Sequence, residues 1–165
     1  MTATYEKIAT TTLSSAAATV TFSSISGAYT DLVLVTDNIF NTSNLAAAYL
    51  RFNSDTGTNY SYQSIQGTGT VANAERGSSQ NVMYVARSFG GDQTHNIINI
   101  MNYSNTTTNK TVLSRYGSAG SSSGVLAAIG LWRSTSAIST ILMGIDGGYN
   151  FVSGATFTLY GIKAE

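Results

Sequence analysis

Apolar and polar side chains alternate along much of this chain. Val20 and Phe22 are interleaved with Thr19, Thr21 and Ser23, the period of two that belongs to a half-buried strand. Leu32-Val-Leu-Val35 is apolar throughout, as expected of a strand covered on both faces. Strand-like segments also occur at Tyr5–Thr10, Tyr49–Phe52, Tyr60–Tyr62, Asn81–Ala86, Asn96–Tyr103, Lys110–Tyr116, Val125–Trp132, Ile138–Ile145 and Thr156–Ile162. All are rich in Val, Ile, Tyr, Phe and Thr, which suit a pleated surface, and they predict about eleven strands.

The intervening segments carry turn chemistry. Ser54-Asp-Thr-Gly57, Gly67-Thr-Gly69, Gly90-Gly-Asp92, the run from Ser118 to Gly124 and Asp146-Gly-Gly148 supply residues that accept positive φ or cap a turn with a side-chain oxygen. Short strands punctuated in this way predict a sandwich or barrel. Helix competes weakly. Leu45–Leu50 and Val125–Ile129 contain helix formers but are short, so the pattern allows one helical turn near Asn44–Ala48. No repeat of about 20–50 residues is visible, and a single domain over residues 1–165 is the simplest organisation. The Thr10–Ser15 and Ser121–Ser123 tracts read as loops.

Composition narrows the functional classes. Only 10% of the 165 residues are charged, against about 25% in an ordinary soluble domain. Eight basic and eight acidic residues give zero net charge, too little positive charge for a nucleic-acid surface. The absence of Cys excludes disulfides and thiolate zinc sites. No apolar run approaches the roughly 20 residues of a membrane-spanning helix, and no apolar segment near Met1 predicts a secretory signal. A neutral surface favours association. Pro is absent and there are only three Lys, so the usual guards of exposed sheet edges are scarce. Edge strands are therefore expected to be short, covered or paired with a neighbouring copy, and a homo-oligomer follows.

Candidate chemistry is sparse. His95 is the one histidine, and no G-x-S-x-G elbow accompanies it; it reads as a polar residue at a strand end. No spacing selects a carboxylate pair for glycoside hydrolysis. Asp55 and Asp146 lie in turns without the spaced acids of a calcium loop. Asn41, Asn59, Asn102, Asn105 and Asn109 begin Asn-x-Ser/Thr triplets, a number that this composition nearly produces by chance. No catalytic, metal or cofactor residue is assigned, and the chain reads as a non-enzyme. The aromatics remain. Trp132, within Gly130-Leu-Trp-Arg133, and the tyrosines at 49, 60, 62, 84 and 103 offer rings for a pyranose face, or for core and interface packing. Arg51, Arg87, Arg115 and Arg133 adjoin strands and are placed to pair acids or anchor an interface. Trp132, Arg133, Tyr60 and Tyr62 are the candidate interface or glycan contacts.

Several stretches together carry a resemblance. They are Thr4-Tyr-Glu-Lys-Ile-Ala9, Tyr49-Leu-Arg-Phe-Asn53 with Asp55-Thr-Gly-Thr-Asn-Tyr60, Met101–Thr106 with Lys110–Ser114, Gly130–Ser134 and Phe157–Lys163. The set resembles a family of small β-rich virion proteins of tailed bacteriophages, including phages of cyanobacteria. The resemblance implies a jelly-roll-like β-sandwich of about ten to eleven short strands. It also implies a trimer and a capsid decoration (cement) role that stabilises the head shell through contact with the major capsid protein. The alternative it implies is a tail-fibre or head-fibre module binding a host surface glycan or receptor. Either protein is made in the host cytoplasm and resides in the virion. An extended arm at residues 1–15, formed by Met1–Thr4 and Thr10–Ser15, is expected to lie on a neighbouring subunit.

Overall fold

The computed structural model describes residues 4–40, 46–87, 94–119 and 124–163. Among them are twelve strands and no helix. In chain order the strands are β1 (Tyr5–Thr12), β2 (Thr19–Phe22), β3 (Asp31–Asp37), β4 (Ala47–Phe52), β5 (Tyr60–Gly67) and β6 (Ala72–Gln80). They continue with β7 (Met83–Arg87), β8 (Thr94–Met101), β9 (Lys110–Ser118), β10 (Gly124–Trp132), β11 (Ile141–Ile145) and β12 (Thr156–Ile162). A long antiparallel sheet has the order β1-β12-β3-β8-β9-β10-β5-β6, and a short one the order β2-β11-β4-β7. The two form a β-sandwich. The chain alternates between them: β1, β3, β8 and β12 lie in the long sheet and β2, β4, β7 and β11 in the short one. The hairpins β5–β6 and β9–β10 widen the long sheet on one side.

The period-two pattern decides which side chains enter the core. On β10, Leu126, Ala128 and Trp132 point inward while Val125, Ala127 and Ile129 point outward. The inward residues of the long sheet share one apolar cluster with Leu50, Phe52, Met83, Val85, Ile141 and Met143 of the short sheet. Gly130 leaves room for the Met83 side chain. A Cβ there would lie 2.2 Å from the sulfur of Met83, which is fully buried. Two of the polar side chains inside bond each other and one carbonyl: Asn96 and Ser114 both reach the Val85 carbonyl, and the Ser114 hydroxyl lies 2.8 Å from Asn96 Oδ1.

Three expectations change. There are twelve strands rather than ten or eleven, because β6 carries no apolar alternation: its sequence is ANAERGSSQ and none of its residues belongs to the core cluster. Backbone pairing with β5 holds it in place. The arm at residues 1–15 is largely a sheet strand. Tyr5–Thr12 pairs with β12 through Thr10↔Thr158 and Thr12↔Thr156, and the Leu13 N–H continues the pairing to the Ala155 carbonyl. β-branched threonines suit that position; Met1–Ala3 lie outside the described residues. Ala47 and Ala48 belong to β4 rather than to a helical turn, and Asn44 and Leu45 lie outside the described residues, as do Gly90–Asp92 and residues 120–123.

The edges of the short sheet are short, as expected, and those of the long sheet are guarded differently. β2 and β7 are short, with four and five residues. The long edges use charge and irregularity instead. β1 carries Glu6 and Lys7 and a register shift at Lys7/Ala9, and β6 carries Glu75 and Arg76 opposite a register shift at Tyr60/Tyr62. Charges and bulges obstruct addition of a further strand.

Candidate functional site

Three of the four candidate contact residues form a structural clamp. Trp132 lies opposite Tyr60 across the β10–β5 pair, and the rings stack with centroids 6.3 Å apart. Phe52 packs 5.5 Å from Trp132. Trp132 is 2% exposed and Tyr60 0%. The indole N–H donates to Asp55 Oδ2 at 2.7 Å; Asp55 also accepts from Asn59 Nδ2 at 2.9 Å and from the Gly57 N–H at 2.8 Å. Burial is the largest single influence on Asp55 and pushes its carboxyl up, but these three hydrogen bonds together outweigh it and leave the group below its ordinary value. The Tyr60 hydroxyl accepts from the Phe52 N–H at 3.0 Å, and burial raises its pKa to about 12. Arg133 donates to the Thr58 carbonyl at 2.8 Å and to Ser61 Oγ at 3.1 Å. Trp132, Tyr60 and Arg133 thus fasten the β4–β5 loop. Trp132 and Tyr60 present no ring for a glycan, because a large aromatic whose polar tip finds a partner inside is more stable there.

Tyr62 belongs to another place. Three of the tyrosines singled out above meet in a row: Tyr62 and Tyr84 at 5.2 Å and 89°, Tyr84 and Tyr49 at 6.5 Å and 87°. Tyr62 and Tyr84 border a cleft of about 260 Å³ lined also by Glu75, Arg87, Asp146 and Leu126. The Tyr62 hydroxyl donates to Glu75 Oε1 at 3.2 Å, and Arg87 bonds Glu75 Oε2 at 3.1 Å. The Tyr84 hydroxyl donates to Asp146 Oδ2 at 2.6 Å. Burial, then the Glu75 charge, raises Tyr62 to about 12; burial, then the bond to Asp146, raises Tyr84. Each bonded carboxylate oxygen keeps a second lone pair, so the cleft offers acceptors to a donor-rich group. Arg87 pairs an acid as its place beside a strand suggested, but no sequence spacing joined Glu75 and Arg87, on the consecutive strands β6 and β7, to Asp146 after β11. Tyr103 lies elsewhere, buried, with its hydroxyl donating to the Ser26 carbonyl.

The remaining candidates resolve simply. His95 Nδ1 lies 2.5 Å from Asp37 Oδ1, both exposed on the long sheet. Lys110 is buried, donates to the Thr108 and Thr135 carbonyls at 2.7 and 3.2 Å, and burial lowers its pKa. Among the described residues no group of three His, Cys, Asp or Glu side chains is placed to hold a metal ion.

The least expected surface is the outer face of the long sheet. Ile65 is 68% exposed, Val125 64% and Ile129 51%, and Leu113 is also exposed. Cross-strand register sets them side by side: Ala127 lies between Ile65 and Arg115, Ile129 between Gln63 and Leu113, and Val125 between Gly67 and Gly117. Two open depressions of about 580 and 890 Å³ lie among these side chains. The bulky members stand on β5, β9 and β10, within the two hairpins that widen the sheet.

No protein-family model matches the chain, and no curated protein matches its sequence. Fold and surface define an all-β sandwich protein with one apolar sheet face uncovered.

Proposed function

We propose that this protein is a structural component of a bacteriophage virion, a capsid decoration protein that self-associates and stabilises the head shell against the major capsid protein. It is made in the host cytoplasm and incorporated into the particle. One observation carries the reading: a contiguous set of outward-facing Ile, Val and Leu on a chain with zero net charge. Such a face is stable in water when another protein covers it. The alternation of β1, β2, β3, β4, β7, β8, β11 and β12 between the sheets supports the jelly-roll reading, with β5–β6 and β9–β10 as added hairpins; jelly rolls are recurrent in capsid and lectin domains. A decoration protein that binds only the assembled shell stabilises it by mass action. The test is quantitative mass spectrometry of purified virions. Hundreds of copies per particle are expected, and a handful would end the proposal.

The second reading, a tail-fibre or head-fibre module that binds a host glycan, is supported by the cleft of Tyr62, Tyr84, Glu75 and Asp146, whose carboxylates can accept hydroxyl donors. A glycan array separates the two. Binding that is lost in Glu75→Gln supports the fibre module, and an array without signal removes it.

A further inference from the structure

We propose that Asp146 is a site of spontaneous covalent modification: the Gly147 backbone nitrogen attacks its side-chain carboxyl, and the resulting cyclic imide opens to an isoaspartyl linkage. Water is the only reagent, and the inference stands apart from both readings of function.

The chain has five Asp, of which only Asp146 is followed by Gly, and no Asn is followed by Gly. A side chain on the following residue crowds the attacking nitrogen, and glycine removes that obstacle. The local geometry adds to this. The Gly147 N–H donates to Asp146 Oδ1 at 2.7 Å. Cγ is bonded to that oxygen, so the nitrogen stands within about 4 Å of the carbon it attacks, close to the roughly 3–3.5 Å of a near-attack contact. The Asp146 N–H is fixed to the Ala47 carbonyl at 2.9 Å, whereas Gly147 and Gly148 both have φ of 75° and residues 146–150 are exposed. Two glycines absorb the change of backbone angles that the ring imposes, and water reaches the imide. The Tyr84 hydroxyl donates at 2.6 Å to Oδ2, the oxygen that must leave. In the first step the bond from Gly147 N to Cγ forms and the Cγ–Oδ2 bond breaks. Oδ2 departs as water, carrying the amide proton and one proton relayed from solvent through Tyr84. Water then adds to the Asp146 main-chain carbonyl carbon, the bond from that carbon to Gly147 N breaks, and a proton is released. The chain now runs through Cβ and Cγ, and the former carbonyl is a free carboxylate; nothing is oxidised and the mass is unchanged. That carboxylate sits on Cα, so Tyr84 loses its partner and one wall of the cleft is rebuilt.

The experiment incubates the full chain in neutral buffer made with heavy-oxygen water. Samples are digested and fragmented by electron transfer, which separates isoaspartyl from aspartyl linkages. An isoaspartyl linkage and one heavy oxygen are expected at position 146, and neither is expected at Asp31, Asp37 or Asp55. The linkage is expected to form at least as fast as in an unstructured peptide covering residues 141–150, because the fold already holds the nitrogen against the carboxyl. Tyr84→Phe is expected to lower the rate about 10-fold, less than the roughly 100-fold or more of a fully positioned acid. A tyrosine that only tethers the carboxylate would instead raise the rate when removed. Asp146→Glu, whose ring would be larger by one atom, serves as the blank, and circular dichroism confirms that each variant is folded. Absence of isoaspartate at position 146, a rate below that of the peptide, or a rate in Tyr84→Phe at or above the wild-type value would overturn the inference.

Discussion

Removing the Asp55 carboxylate tests whether the Trp132 clamp holds the β4–β5 loop. In Asp55→Ala the indole N–H loses its partner at 2.7 Å while its ring remains buried. The Gly57 and Asn59 donors can turn to water, since Gly57 is exposed and Asn59 half-buried. The cost is therefore dominated by one buried donor and one charge-assisted bond, about 2–3 kcal/mol. In a chain of this length that lowers Tm by roughly 4–12 °C. The sole tryptophan reports from the site itself, so urea unfolding followed by its fluorescence, checked by circular dichroism, measures the loss. Asp55→Asn adds a pH test. The folded-state carboxyl lies below its ordinary 3.8, so the unfolded chain binds more protons in the window just under that value. The stabilisation is present above about pH 4 and fades as pH falls through the lower folded-state value. The wild-type advantage over Asp55→Asn should shrink accordingly between about pH 6 and pH 2.5. A loss below about 0.5 kcal/mol in Asp55→Ala, or an Asn deficit that does not change with pH, would refute the clamp.

Gly130→Ala should destabilise by about 1–3 kcal/mol through overpacking against Met83, with partial recovery when Met83→Val is added; thermal unfolding of the single and double variants decides. Burial lowers Lys110 below its ordinary 10.5, so folding releases a proton just under that pH and stability gains from this group as pH rises toward it. Lys110→Met should abolish that slope, read as the wild-type-minus-variant difference in urea midpoints between about pH 7 and 10. Tyr62, raised to about 12, acts oppositely: its contribution is full below pH 10 and declines above it. Tyr62→Phe should reduce alkaline destabilisation and remove one late-ionising phenol from the ultraviolet titration.

The strands with a buried face were legible because a period of two leaves a mark whenever one side is apolar; β8, β10 and β12 are examples. β6 left none. It projects past the short sheet, so neither face selects apolar residues. Trp132 and Tyr60 were conspicuous as residue types, but sequence cannot tell a ring in the core from a ring on the surface. That distinction came from Asp55, 77 positions from Trp132, which satisfies the indole inside. The apolar outer face was hidden within the same pattern. Ile65, Val125 and Ile129 lie on strands with apolar inward positions, and an unbroken apolar run such as Val125-Leu-Ala-Ala-Ile129 does not say which of its residues face the core.

The position of β12 has a kinetic consequence. It lies between β1 and β3, and its contacts join residues far apart in the chain, Thr10 and Thr158 being separated by 148 positions. Neither β1 nor β3 can find this neighbour until nearly all of the chain has left the ribosome. Until then the apolar segment Leu32–Val35 has one open flank, in a topology whose long-range pairings close slowly. Fast synthesis of the last thirty or so residues, or a chaperone on that flank, would matter more to yield than the stability of the finished sandwich. An amber truncation before Thr156 is expected to give aggregates rather than a smaller soluble domain.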